Sequence, residues 1–306
     1  MAAAAQIAQK SLALRGKAEQ LASALPPLMV AAEHVASTVA QGVHGRRRVG
    51  QGEAFWQFRR FGFGDSVQRI DWRQSAKSQY VYLRETEWEA AQSVWLWRDA
   101  SPSMQYRASP ELPTKAERAT LLLLALMSLL VRGGERIALL GGGSYPATGR
   151  AVMNRLAQTL LREMTSDENE SKAAPSLPAM EPLPRFSHVV MIGDFLSPLG
   201  EIDRCARGFA ARGVQGHLVQ VLDPAETLMP FKGRSRFAGL EDEGNLLVGK
   251  AEGLRTAYLE RLDQQQAALA DLARALGWGY TVHHTERAPQ PALLALYTTL
   301  ADLLGK

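Results

Sequence analysis

Apolar residues along this chain fall into two rhythms: short continuous runs that stop abruptly at a polar residue, and longer stretches with apolar positions at helical spacing. Val94 to Met104 reads Val-Trp-Leu-Trp-Arg-Asp-Ala-Ser-Pro-Ser-Met, which predicts a buried parallel strand opening at Asp99 into a loop. Ile137 to Leu140, Ser187 to Gly193, residues 214 to 222 and Trp278 to His283 repeat the pattern. The run from Ser187 ends at Asp194, and that from 214 ends at Asp223-Pro224 with Glu226 nearby. Helices are expected between the runs. One is buried, running to Arg132 between a Thr114/Glu117 capping box and a Gly133-Gly134 stop. Others cover Thr148-Gly149 to Met164, 201 to 212, 251 to 276 and 291 to 304. Strands alternating with helices predict an α/β fold with a doubly wound, mostly parallel, Rossmann-like sheet. Ser235 to Leu240 and Asn245 to Val248 predict an added hairpin.

The N-terminal part differs. Residues 2 to 24 predict a helix ended by Leu25-Pro26-Pro27, and Leu28, Ala31, Ala32, Val35 and Val39 predict a second, to about Gln41, packed on the main domain. From Gly42 to Glu89 glycine, arginine and aromatics dominate, and Tyr80 to Glu85 alternates as a half-buried strand expected beside Gln92 to Arg98. The chain therefore divides into N-terminal helices (1–41), a Gly/Arg/aromatic segment (42–89) and the α/β domain (90–306), with a polar, proline-rich connector at 165–184.

Composition narrows the function class. At 306 residues, 46% hydrophobic and 22% charged, the chain can bury a full core, and its net charge of +4 does not by itself imply nucleic acid. The single cysteine, Cys205, excludes an internal disulfide or thiolate cluster and fits a reduced, cytoplasmic setting. Ala119 to Val131 is shorter than the roughly 20 residues a spanning helix needs, and polar residues interrupt the alanine-rich start, so no membrane or export signal is expected.

The chemistry gathers at the strand ends. Asp99, Ser101 and Ser103 offer only hard oxygens, which suits Mg²⁺; the same residues also suit a capped turn, and both readings stand. Asp194, at the end of another parallel strand, can meet them at the same sheet edge. Gly141 to Gly143 lacks the lysine and Ser/Thr of a phosphate-binding loop, and His283 and His284 point to opposite faces of a strand. The stretch from Arg46 to Arg73 interleaves basic residues with aromatics. It reads as a structural or protein-contact segment carrying Arg59, Asp65, Arg69, Asp71 and Trp72, with nucleic-acid binding as the alternative. An Asp-dependent phosphoryl-transfer enzyme is a further alternative. It is disfavoured because Ser101 stands where a second acid is expected and no lysine with a clear role follows.

Gly50-x-Gly52-Glu53-x-Phe55, Arg59-x-Phe61-x-x-Gly64-Asp65, Arg69-Ile70-Asp71-Trp72, Ala76, Arg84-Glu85 and Asp99-x-Ser101-x-Ser103-Met104 occur in order. This order resembles the bacterial family catalogued as domain of unknown function 58, whose C-terminal part resembles a von Willebrand factor type A domain. The resemblance implies a metal-ion-dependent adhesion site in which Asp99, Ser101 and Ser103 bind Mg²⁺ with Asp194 and a threonine, for which Thr148 is the candidate. Thr148 also reads as a helix cap. Two departures stand out: Phe61 replaces a usual tyrosine, and Arg98 is placed to pair with Asp99 and weaken metal binding. The resemblance further implies a non-catalytic protein-binding module that serves as partner or adaptor of a MoxR-type AAA+ ATPase in chaperone-like assembly.

Overall fold

The computed structural model of the chain describes residues 29–39, 49–62, 70–87, 93–143, 145–164, 174–240 and 244–304. The helix expected at 2–24 lies outside them, as do residues 241–243 and part of the polar connector. Residues 29–39 form α1. Strands β1 (Val49–Arg60) and β2 (Tyr82–Glu87) then pair antiparallel in a sheet of their own, with the single helical turn α2 (Trp72–Ser75) between them. This corrects the expected place of the second strand. Alternation identifies a strand but not its partner, and β2 is taken by its local neighbour, with Arg60 opposite Tyr82, instead of by the main sheet.

The main sheet contains β3 (Ser93–Arg98), β4 (Arg136–Leu139), β5 (His188–Gly193), β6 (Gln215–Leu222) and β9 (Gly279–His284). Their order is β4-β3-β5-β6-β9 and every neighbouring pair is parallel. Helices α3 (Lys115–Arg132), α4 (Arg150–Met164), α5 (Leu199–Ala210), α6 (Pro224–Leu228), α7 (Arg255–Leu276) and α8 (Pro289–Leu304) connect and follow the strands. The expected hairpin is β7 (Ser235–Ala238) with β8 (Asn245–Val248). The chain is thus an α/β protein built on a five-stranded parallel sheet flanked by helices.

Two-residue periodicity sorts the core. Val94, Leu96, Ile137, Leu139, Val190 and Ile192 face one side and pack with α1, α3, α4 and α8; Trp95, Trp97, Val189 and Met191 face the other and pack with α5 and α7. Ala32, Val35, Ala36 and Val39 of α1 join the first cluster, and Glu33 accepts hydrogen bonds from Ser128 Oγ at 2.8 Å and from Arg132. The capping box predicted at Thr114 is present: its hydroxyl accepts from Glu117 N–H, and Glu117 accepts from Thr114 N–H. That box fixes the first residue of α3, and with it the position of Lys115.

The strand order reverses between β3 and β5. In open parallel sheets the crevice at such a switch, beyond the C-terminal strand ends, is where ligands gather. Asp99 follows β3 and Asp194 follows β5, so the two residues singled out by the sequence flank that crevice.

Candidate functional site

Four of the five expected ligand residues form one buried cluster. Asp99, Ser101, Ser103 and Asp194 are at most 6% exposed. The Asp99 backbone N–H continues the β3–β5 ladder by donating to Ile192 at 2.8 Å, and its Oδ1 accepts the Ser101 N–H at 2.8 Å. The hydroxyls of Ser101 and Ser103 share a hydrogen bond of 3.1 Å, and Ser103 Oγ donates to Asp194 Oδ2 at 2.7 Å. Gln220 on β6 steadies the same loop by donating to the Asp194 carbonyl at 2.9 Å.

The close approach of β3 and β5 at this point requires a glycine. A Cβ on Gly193 would stand 2.8 Å from Asp99 Cβ and 3.1 Å from its Oδ2. Gly193→Ala is expected to push the Asp99 loop aside and lower the unfolding free energy by about 1–3 kcal/mol. A urea midpoint equal to that of the unaltered chain would show that the loop yields without cost.

Thr148 stays outside the cluster. It is exposed, follows Ala147, whose backbone bridges Ile137 antiparallel, and precedes Gly149, the residue before α4. Among the described residues no hydrogen bond links it to Asp99, Ser101, Ser103 or Asp194. Arg98 also departs from expectation. It continues the Val94/Leu96 side of β3, and its Nη2 donates to Glu163 on α4 at 3.1 Å instead of turning to Asp99.

The central group is one the sequence reading missed. Lys115, the first residue of α3, is 1% exposed, and its Nζ donates to Asp194 Oδ2 at 2.8 Å and to Glu226 Oε1 at 2.6 Å. Glu226 also accepts the Asp223 N–H at 2.7 Å, and buried Asp223 accepts from Ala225 and Ala108 N–H groups. Lys115 thereby joins the ends of β5 and β6 to the start of α3. Burial alone would lower the basicity of its amine, but Asp194 and Glu226 outweigh it and hold the ammonium above the usual lysine range. A cation at a helix N-terminus opposes the helix dipole, so Lys115 owes its place to these tertiary partners. The ring of Tyr106 lies 6.0 Å from Nζ on another side.

A DUF58 family model, described as a protein of unknown function, matches residues 57–268, more than half of the chain. The chain belongs to the DUF58 family. The matched range includes all of Asp99, Ser101, Ser103, Lys115, Asp194 and Glu226. Uncharacterized proteins of Mycobacterium tuberculosis and Mycobacterium bovis are each 28% identical to it over 305 residues, covering 95% of this chain and 90% of theirs. Among solved structures, BatB from Bacteroides thetaiotaomicron (17% identity, TM-score 0.39) and an aerotolerance-related membrane protein from Bacteroides fragilis (16%, TM-score 0.40) each align with 69% of this chain and 99% of their own. No helix among the described residues of this DUF58 chain is long and apolar enough to cross a membrane.

The oxygens of this DUF58 cluster are the right chemical kind for Mg²⁺, but the position of the cation beside Asp194 is taken. A divalent ion on the same carboxylate would stand within a few ångströms of Nζ. Two unit charges about 4 Å apart repel by about 4 kcal/mol at an effective dielectric near 20, and a doubly charged ion by roughly twice that. With the Ser103 hydroxyl and the Lys115 ammonium both on Asp194 Oδ2, that oxygen does not fit a resident divalent metal while Lys115 keeps its place.

The expected contact segment of the DUF58 chain lies apart from this cluster. Asp71 is a helix cap, its Oδ1 accepting from Gln74 N–H at 2.8 Å. Trp72 is 65% exposed, and Phe58, Phe61 and Tyr80 are exposed as well. Arg59 is exposed and donates to the Arg60 carbonyl at 3.2 Å, while the Arg60 guanidinium covers Tyr80 at 3.8 Å. Asp65 and Arg69 lie outside the described residues.

Proposed function

We propose that this chain is a non-catalytic, cytoplasmic protein-binding module of von Willebrand factor type A-like architecture. It acts as partner or adaptor of a MoxR-type AAA+ ATPase in chaperone-like assembly. The observation that carries this reading is the construction of the sheet edge. Asp99, Asp194 and Asp223 follow three adjacent strands, and all three are buried and hydrogen-bonded, Asp194 directly to the Lys115 ammonium. Such an edge is braced to hold a shape, as a contact platform must, and keeps its acids from a substrate. The exposed Trp72, Phe58, Phe61 and Tyr80 with Arg60 add a surface of the composition that protein interfaces favour.

Asp-dependent phosphoryl transfer is the weaker reading. A lysine does reach the site, contrary to the sequence-based argument, but its ammonium is committed to Asp194 and Glu226, and Asp99 is 0% exposed. Nucleic-acid binding by residues 46–73 is also weaker, since the net charge of +4 is mild and Arg60, one of the segment's cations, is engaged with the Tyr80 ring.

The test is equilibrium binding of the full chain to a purified MoxR-type AAA+ ATPase. Trp72→Ala is expected to weaken the complex by about tenfold, as truncation of an interface anchor does. Its folding free energy should stay within about 0.5 kcal/mol of the unaltered chain because the side chain is exposed. Absence of a complex at micromolar concentrations would reject the assignment; a complex indifferent to Trp72 would move the contact elsewhere on the molecule.

A further inference from the structure

We propose that Lys115 is the permanent cation of the sheet-edge site, an ammonium built into the chain where the adhesion-site reading calls for Mg²⁺, so that this edge works without a divalent metal. The inference rests on the type A-like reading of the site and changes what holds it together. The Asp194 oxygen that a metal beside Ser103 would use is filled from within the chain. Asp194 Oδ2 takes both the Ser103 hydroxyl at 2.7 Å and the Lys115 ammonium at 2.8 Å, and Oδ1 takes the Leu196 N–H at 3.3 Å. The Ser101 hydroxyl is hydrogen-bonded to that of Ser103, and the ammonium also reaches Glu226 at 2.6 Å. An ammonium shared by two carboxylates supplies one positive charge and the cross-link between loops that a bound cation would supply. Being covalently part of α3, it stays in place under any chelator. A partner that docks here accordingly meets a preformed surface and has no open coordination position to complete.

The experiment compares Mn²⁺ uptake, followed by the paramagnetic signal of the unbound ion, in the full-length unaltered chain, Asp99→Asn, Lys115→Met and Lys115→Met/Asp99→Asn. Thermal unfolding is followed in parallel with Mg²⁺ and with chelator. The unaltered chain and Asp99→Asn should take up Mn²⁺ alike, and Mg²⁺ at about 10 mM, well above the millimolar constants of weak divalent sites, should not raise the melting temperature of either. Lys115→Met should gain an ion that Lys115→Met/Asp99→Asn lacks, with a melting temperature that rises with Mg²⁺.

Uptake by the unaltered chain that Asp99→Asn abolishes overturns the proposal. So does a folded Lys115→Met chain that binds nothing more than the double variant. If Lys115→Met does not fold, the first comparison decides alone: equal uptake upholds the proposal and unequal uptake overturns it. Capture of the ATPase is a separate outcome. A chain that holds Mn²⁺ at Asp99 and still binds the ATPase defeats only the lysine assignment, and one that binds neither defeats only the functional reading.

Discussion

Replacing Lys115 by methionine, which keeps the length of the side chain and removes its charge, is expected to lower the unfolding free energy by about 3–5 kcal/mol, the range seen when one partner of a buried ion pair is deleted. For a domain of this size that is a fall in melting temperature of roughly 10 °C. The cost arises less from the lost contacts than from what remains, because the Asp194 carboxyl would be left at 1% exposure with the Ser103 hydroxyl and the Leu196 N–H but no cation. Neutralising the carboxylates as well should therefore recover much of the loss. Lys115→Met/Asp194→Asn/Glu226→Gln is expected to be more stable than Lys115→Met, a coupling of several kcal/mol in a mutant cycle. Chemical denaturation of the four chains in the cycle reads this directly. Strict additivity, or a Lys115→Met chain within about 1 kcal/mol of the original, would mean that the ammonium does not hold this edge together.

How legible this arrangement was in the sequence depended on the range of each interaction. Strands β3, β4, β5 and β6 could be read because buried parallel strands are continuous apolar runs, and His188–Gly193, with all six residues buried, is the clearest of them. The start of α3 could be read because a capping box is closed within three residues. Lys115 could not be located in that way, since its partners lie 79 and 111 positions away in the chain. One local trace of it existed: a lysine at the first position of a capped helix has the wrong sign for the dipole, and such a conflict between local preference and position marks a tertiary or functional constraint. The course of Arg98 was also available, because residues 94, 96 and 98 of one strand share a face on which Asp99 has no place. The β1–β2 hairpin was hidden for a different reason. Alternation marked the second strand but not its partner: β1 carries two glycines and two arginines without a sustained two-residue rhythm, and the pairing shifts register between Gly50 and Phe55 and again before Gln57.

Acidification is expected to unfold the chain between about pH 6.5 and pH 4, and the main cause is three histidines in the sheet. His188 on β5, His217 on β6 and His283 on β9 are at most 3% exposed, and burial pushes each imidazole down to about 4. For His283 the positive charges of Arg118, His284 and Arg287 add to the effect of burial. Neither ring nitrogen of His188 has a hydrogen-bond partner among the described residues. His217 Nε2 bonds to the Thr281 hydroxyl at 2.8 Å, while its Nδ1 packs against Gly279, where an added Cβ would lie 2.1 Å away. A proton on either ring would thus sit in the interior without a counter-charge. Unfolded, the three rings titrate near 6.5. The unfolded state therefore binds more protons than the folded one between that value and about 4, so stability is complete above pH 6.5 and is lost as the pH falls through this window. Each ring costs on the order of 3 kcal/mol to charge in place, and three together rival the 5–15 kcal/mol that holds an average domain folded. Unfolding at pH 5 should accordingly take up about three protons, measurable as the slope of unfolding free energy against pH. Substituting His188 with leucine should remove about one of them and make the chain more acid-resistant; a slope unchanged by that substitution would place the acid-sensitive groups elsewhere.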